Sequence, residues 1–250
     1  MKDYSKYFFI TALALIIAAY FLAKVPISTE HAPISGLFII ALSLPCFYAL
    51  GVSLGWKKAL MLVLILSIYA IFIESFAIIT GFPYSNFQYT DLIGFKIFGL
   101  IPYTLPFAYV PLFIGCFYLS SLQFTNKWKI IIFSTFLVLM ADLVLDPAAV
   151  ALKFWIFDTS GFFYGVPLMN FAGWLLSGFL ASLIAMYIIK DNINDFHTPK
   201  AIVLSLFLIL TFWSAVCAYM GLIIPAIFGV IFIFFILYKT NFKVGEFNKY

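Results

Sequence analysis

The stretch ALMLVLILSIYAIFIESFAII (59–79) decides the fold. Twenty-one residues pass with one ionisable group, Glu74, and with neither proline nor glycine. Crossing the hydrocarbon core of a bilayer takes about 20 predominantly apolar residues in a helix. The segment is therefore read as a membrane span. Working outward, comparable runs lie at about 7–23, 34–54, 97–120, 130–145, 166–189, 201–219 and 222–238. The first follows Lys2 and Lys6 but is longer than a signal-peptide core and meets no small-residue cleavage pattern, so it reads as a helix. The last two are parted only around Gly221, and a kink there would reduce eight spans to seven. The expected fold class is an all-α polytopic membrane bundle of about eight transmembrane helices, with 1–250 forming a single membrane domain.

Composition agrees with this reading. Of the 250 residues 65% are hydrophobic and 10% charged, and the mean hydropathy is +1.13. A water-soluble globule is excluded, since such domains run near half apolar and a quarter charged. All fourteen basic residues are lysine, so no guanidinium fork exists to grip phosphate or carboxylate bidentately. No basic stripe exists for nucleic acid. Cys46, Cys116 and Cys217 sit inside apolar runs without metal-ligand spacing and read as packing residues.

With eight spans, the side carrying both termini bears Lys2, Lys6, Lys57, Lys58, Lys127, Lys129, Lys190, Lys200, Lys239, Lys243 and Lys249. The other side has Lys24, Lys96 and Lys153. The excess of positive charge expected in the cytoplasm places both termini there and the chain in the cell membrane. Two long connections, 80–96 and 146–165, then lie on the outer face. Both are aromatic and glycine-containing, and neither is polar enough for an ordinary solvated loop. Within the second, PAAVALKFWIF (147–157) reads as a short re-entrant or interfacial helix that begins on proline.

Ionisable groups inside spans are costly and mark function by default. Glu74 lies near the outer end of the third span. Asp142 and Asp146, four residues apart, project from one helical face at the end of the fifth. Burial and a like charge nearby both favour the protonated form of a carboxyl, so such a pair can retain a proton near neutral pH. Structural roles compete with the chemical ones. Asp146 precedes Pro147 and suits an N-cap of the following segment, and Glu74 suits a hydrogen bond to a tyrosine or a backbone group. Asn170 and Trp174 share a face of the sixth span, where an Asn serves as readily for interhelical bonding as for substrate contact. His31 and His197 are loop residues with no assigned role. Acids without a strong base, nucleophile, nucleotide or metal signature, in an aromatic lining, suggest proton-initiated chemistry on an apolar alkene. Aromatic faces and a carboxylate would stabilise the cation.

Glu74 followed by GFPYSNFQYTDLIGFKIFGLIPY (81–103), then DLVLDP (142–147) and GFFYGVPLMNFAGW (161–174), resembles the membrane carotenoid biosynthesis family that contains the CruF-type carotenoid hydratases. Archaeal bisanhydrobacterioruberin hydratases are among them. The motif-bearing core is about 74–174. The resemblance implies cofactor-free, metal-free addition of water across the terminal double bond of an acyclic carotenoid end within the bilayer. It also implies that Glu74, Asp142 and Asp146 are the acidic set, and that Tyr84, Tyr89, Trp155, Tyr164, Asn170 and Trp174 line the end-group pocket. Asp142 and Glu74 are the two candidates for proton donor, with Asp146 orienting water. Other carotenoid-pathway enzymes are the expected protein partners. Two positions depart from the family pattern: Tyr109 stands where tryptophan is common, and Lys153 where a small residue is expected. Two other readings remain. One is an intramembrane prenyltransferase or carotenoid elongase, because Asp142/Asp146 and Asp191/Asp195 both resemble aspartate pairs that hold magnesium diphosphate. The other is a proton-coupled transporter of a lipophilic substrate.

Overall fold

The computed structural model describes residues 3–193, 195–197 and 199–247, without the side chain of Asp195; Lys2 and Lys249 of the lysine count lie outside the described residues. Its helices are α1 (Ser5–Lys24), α2 (Ala32–Leu54), α3 (Trp56–Thr80), α4 (Leu105–Gln123), α5 (Lys127–Ala151), α6 (Leu168–Ile189), α7 (Leu204–Tyr219) and α8 (Ile223–Thr240). Eight helical stretches among the described residues are long and apolar enough to cross a membrane, so the chain is a multi-pass membrane protein. Gly221, at φ 77°, breaks the chain between α7 and α8. An L-residue adopts that conformation reluctantly, and the count is therefore eight.

The helices are not equivalent. α4 and α7 are mostly buried and form the centre, whereas α1 turns most of its surface outward. α5 packs on α4, α6, α7 and α8, while α1 packs chiefly on α7. The three cysteines are buried and unbridged, as packing residues should be.

The two ends of the bundle are built differently. At the end carrying the termini, connections are mostly short and tied by local bonds. The backbone N–H of Tyr4 donates to the carbonyl of Gly245 at 3.1 Å, and the Gly245 N–H donates to Ser5 Oγ at 2.8 Å. Lys200 pairs with Glu246 at 3.4 Å. The Asn126 side chain caps α5 by accepting from the N–H groups of Trp128 and Lys129.

At the opposite end the long connections carry four short strands: β1 (Phe87–Tyr89), β2 (Lys96–Ile97), β3 (Ile101–Pro102) and β4 (Trp155–Phe157). β2 and β3 form a small hairpin, so the fourth span begins at Leu105 instead of 97. β1 pairs antiparallel with β4 in the register Phe87–Phe157, Gln88–Ile156 and Tyr89–Trp155. Two bonds extend the ladder, Thr90 N–H to the Phe154 carbonyl at 3.0 Å and Asp158 N–H to the Asn86 carbonyl at 3.1 Å. The two long connections are thus joined into one cap by a two-stranded ladder.

That pairing corrects the expectation of a separate helix at 147–157. α5 runs straight through Pro147 to Ala151, and 155–157 is strand. Proline is tolerated within a membrane helix when neighbouring helices pack around the interrupted bond. α5 ends at Ala151, and just beyond it Lys153 turns the chain left-handed at φ 59° while its N–H reaches the Val150 carbonyl at 3.0 Å. Asp146 is consequently a mid-helix residue and caps nothing. Trp155, Ile156 and Phe157 are aromatic and β-branched, which suits a half-buried strand better than a helix end.

Candidate active site

Five parts of the fold converge beneath the cap. α3 supplies Glu74, α4 supplies Tyr109, α5 supplies Asp142 and Asp146, α6 supplies Asn170 and Trp174, and the cap supplies Tyr84, Tyr89 and Trp155. All of them line one cavity of about 580 Å³. The three acids are among the most deeply buried polar residues, each no more than 4% exposed.

Close approach of the cap to α6 depends on Gly173. A Cβ there would lie 2.4 Å from the Tyr84 ring and 2.6 Å from the Pro83 carbonyl oxygen. With hydrogen at that position, Tyr84 packs at 5.8 Å from the Trp174 ring. Tyr89 and Trp155, cross-strand neighbours, meet edge to face at 5.7 Å.

Glu74 is held by phenols. Tyr89 donates to Oε2 at 3.0 Å, and Tyr109 donates to Oε1. Burial first, then the nearby Glu74, raises the Tyr89 hydroxyl well above its ordinary range, so it remains a donor. The structural role foreseen for Glu74, a bond to tyrosine, is therefore present, and the same geometry leaves the residue on the cavity wall.

The aspartates are held by an amide. The Asn170 side-chain nitrogen donates to Asp142 Oδ2 at 3.2 Å and also to Asp146 Oδ2. An amide nitrogen has two hydrogens, and here both are used on one carboxyl pair. The two carboxyl groups are thereby joined through one amide nitrogen. Asp142 Oδ1 is buried and receives no hydrogen bond from an amide or hydroxyl donor among the described residues. Such an arrangement can hold and release a proton beside an apolar guest.

A family profile described as carotenoid biosynthesis protein matches residues 30–236. The chain belongs to the carotenoid biosynthesis protein family. A curated relative, the bisanhydrobacterioruberin hydratase of Haloarcula japonica, is 39% identical over 132 residues, covering 51% of this chain and 45% of the relative. The chain thus spans less than half the length of that relative. No solved structure matches it.

Of the residues that the family resemblance points to, the structure brings eight together: Glu74, Asp142, Asp146, Tyr84, Tyr89, Trp155, Asn170 and Trp174. Tyr164 stands apart. At φ 53° its ring turns toward Phe163, and its hydroxyl accepts from the Ile224 N–H at 3.4 Å at the start of α8. It is not part of the cavity wall. Of the second aspartate pair, Asp191 lies at the opposite end of the bundle, far along the chain from the acids, and the side chain of Asp195 is outside the described residues.

Tyr109 is the site residue that sequence reasoning missed, having registered it only as a departure from the family pattern. Its ring also packs at 5.1 Å from Trp174. A buried acid in a membrane needs donors, and that requirement was the available signal. Phe87 and Phe157 of the cap and His31 beyond α1 also line the wall, and sequence reasoning gave none of the three a role.

Proposed function

We propose that this chain is a carotenoid hydratase that adds water across the terminal C=C of an acyclic end group. The observation that carries this reading is the pairing of two differently held carboxyl sites in one apolar cavity. Asp142 and Asp146, bridged by Asn170, form the proton-holding site. Glu74, receiving two phenol hydrogens, forms the anionic one. Family membership and the name of the Haloarcula japonica relative support the substrate class.

In this mechanism the aspartate pair delivers its proton to the CH carbon of the terminal double bond, and the positive charge develops on the adjacent dimethyl-bearing carbon, which is tertiary. The faces of Trp155, Trp174 and Tyr89 and the Glu74 carboxylate lower the energy of that cation, which no water shell could do as well in so apolar a site. Water then bonds to the cationic carbon, and the oxonium proton returns to the aspartates. The cycle leaves a tertiary alcohol, regenerates the acid and needs no oxidant, reductant or cofactor. Of the two candidate donors, the geometry favours Asp142 over Glu74, because the Glu74 oxygens already accept from both sides. Eleven lysines on the terminal side against three on the other support cytoplasmic termini and a cavity near the outer leaflet of the cell membrane.

Expression in a host that accumulates lycopene or another acyclic carotene tests the reading. A product heavier by one water per reacted end is expected, and Asp142→Asn should abolish it. If acyclic, monocyclic and longer-chain precursors all remain unhydrated while the protein is present in the membrane, the proposal is wrong.

A further inference from the structure

The cavity does not end at the acids. It continues between α1 and α2, where Ala18, Phe21 and Val25 on one side face Ile34, Ser35 and Phe38 on the other. Phe21, Val25 and Ile34 are 57%, 52% and 67% exposed, so the wall of the cavity here is also the outer surface of the bundle. The two helices are consecutive yet share little contact: α1 leans on α7, whereas α2 packs on α3, α4 and α7. A seam results, apolar from the bundle surface to the acid cluster. In a soluble protein such a seam would close or be covered. In a bilayer it faces lipid.

Cavity size says what occupies the seam. A volume of about 580 Å³ falls in the range that encloses a drug-sized molecule, roughly 300–1,000 Å³. A carotenoid end group fits beside the acids, whereas the rigid polyene behind it is comparable in length to the roughly 30 Å hydrocarbon core of the bilayer and cannot coil up there. With the end group at Asp142, the remainder of the same molecule has to leave the bundle. The seam is the apolar route continuous with the acids.

We infer that the α1–α2 seam is a lateral portal through which a polyene slides in from the lipid, and in which the unreacted arm rests while its end is at the acids. This deepens the hydratase reading and rests on it for the identity of the guest. Ala18 and Ser35 are the small residues that keep the portal open. One end enters at a time, so a two-ended substrate must withdraw and re-enter to react twice.

The test uses the full chain in lipid nanodiscs, with acyclic carotene binding read as quenching of tryptophan fluorescence. Trp155, Trp174 and Trp213 line the cavity and report on it. The double variant Ala18→Phe/Ser35→Phe should weaken carotene binding by about tenfold or more, the equivalent of filling a well-packed space with extra carbons. Competition by an acyclic monoterpene alkene, short enough to fit wholly inside, should shift far less. Ile17→Phe, one residue along α1 and outside the cavity wall, should bind carotene as the parent does. The single Ser35→Phe variant carries the same comparison if the double variant does not fold. Unchanged carotene binding in the portal variants overturns the portal. So does equal loss of both guests, or no saturable quenching by carotene in the parent. Failure of the hydratase reading looks different: the parent then binds carotene through the seam without converting it, and Asp142→Asn changes nothing.

Discussion

Glu74 and the Asp142/Asp146 pair are both buried in the same cavity, but different donors hold them. Each Glu74 oxygen has its own phenol donor, Tyr89 on one and Tyr109 on the other. The aspartates have between them a single amide nitrogen, that of Asn170, and Asp142 Oδ1 has no such donor. Donors on both oxygens stabilise a carboxylate. Two buried carboxyl groups that share one amide and are otherwise short of donors are suited to sharing a proton. In the proposed reaction Glu74 serves as the anion and the aspartate pair as the acid, on different walls of one cavity, which is what protonation of an alkene followed by capture of a cation requires.

Exchanging each acid for its amide breaks the comparison most severely. Asp142→Asn removes the proton supply and should lower hydration by about a thousandfold, within the range for loss of a general acid. Glu74→Gln removes only the stabilising charge and should cost about a hundredfold. Product formation by purified protein in nanodiscs measures both, and a reversed order would exchange the two roles.

Asn170→Ala should come next. It leaves both aspartates without their shared donor, a loss of about 1.5–3 kcal/mol for hydrogen bonds to charged groups. A rate reduction in the tens is expected, with Asn170→Gln recovering little because its longer side chain misplaces the amide. Initial rates at saturating carotene separate this from weaker binding.

The phenols sharpen the other half. Tyr109→Phe and Tyr89→Phe should each slow the reaction by about tenfold. Because both act on Glu74, the double variant should fall short of the product of the two single effects, as coupled residues do. Strict multiplicativity would mean that they do not act through one carboxylate. The smallest effect belongs to Tyr164→Phe. Its hydroxyl serves α8 and not the cavity, so turnover should stay within about twofold of the parent.

Much of this was legible beforehand, for physical reasons. Apolar runs long enough to cross a bilayer have few alternative readings, and eight of them were visible, down to the break at Gly221. Glu74, Asp142 and Asp146 stood out because an acid in such a run is rare. Helical spacing put Asn170 and Trp174 on one face, the family resemblance implied that they line the pocket, and both lie on the cavity wall. Tyr109 was hidden for the opposite reason: aromatic residues make up 21% of the chain, and nothing local distinguishes one that meets an acid thirty-five residues earlier. The cap was also hidden. Strands of three residues give no periodicity, their partners lie almost seventy positions apart, and Pro147 invites a helix start where the helix in fact continues. Tyr164 was misplaced because its motif neighbours reach the cavity, whereas a single left-handed residue turns its side chain away.

The most direct measurement is the mass of the product formed from an acyclic carotene by the purified protein in heavy-oxygen water. The account predicts a tertiary alcohol carrying one heavy oxygen for each reacted end, formed equally well without dioxygen and absent with Asp142→Asn. An unhydrated carotene, or a hydroxyl oxygen drawn from dioxygen instead of water, would contradict it.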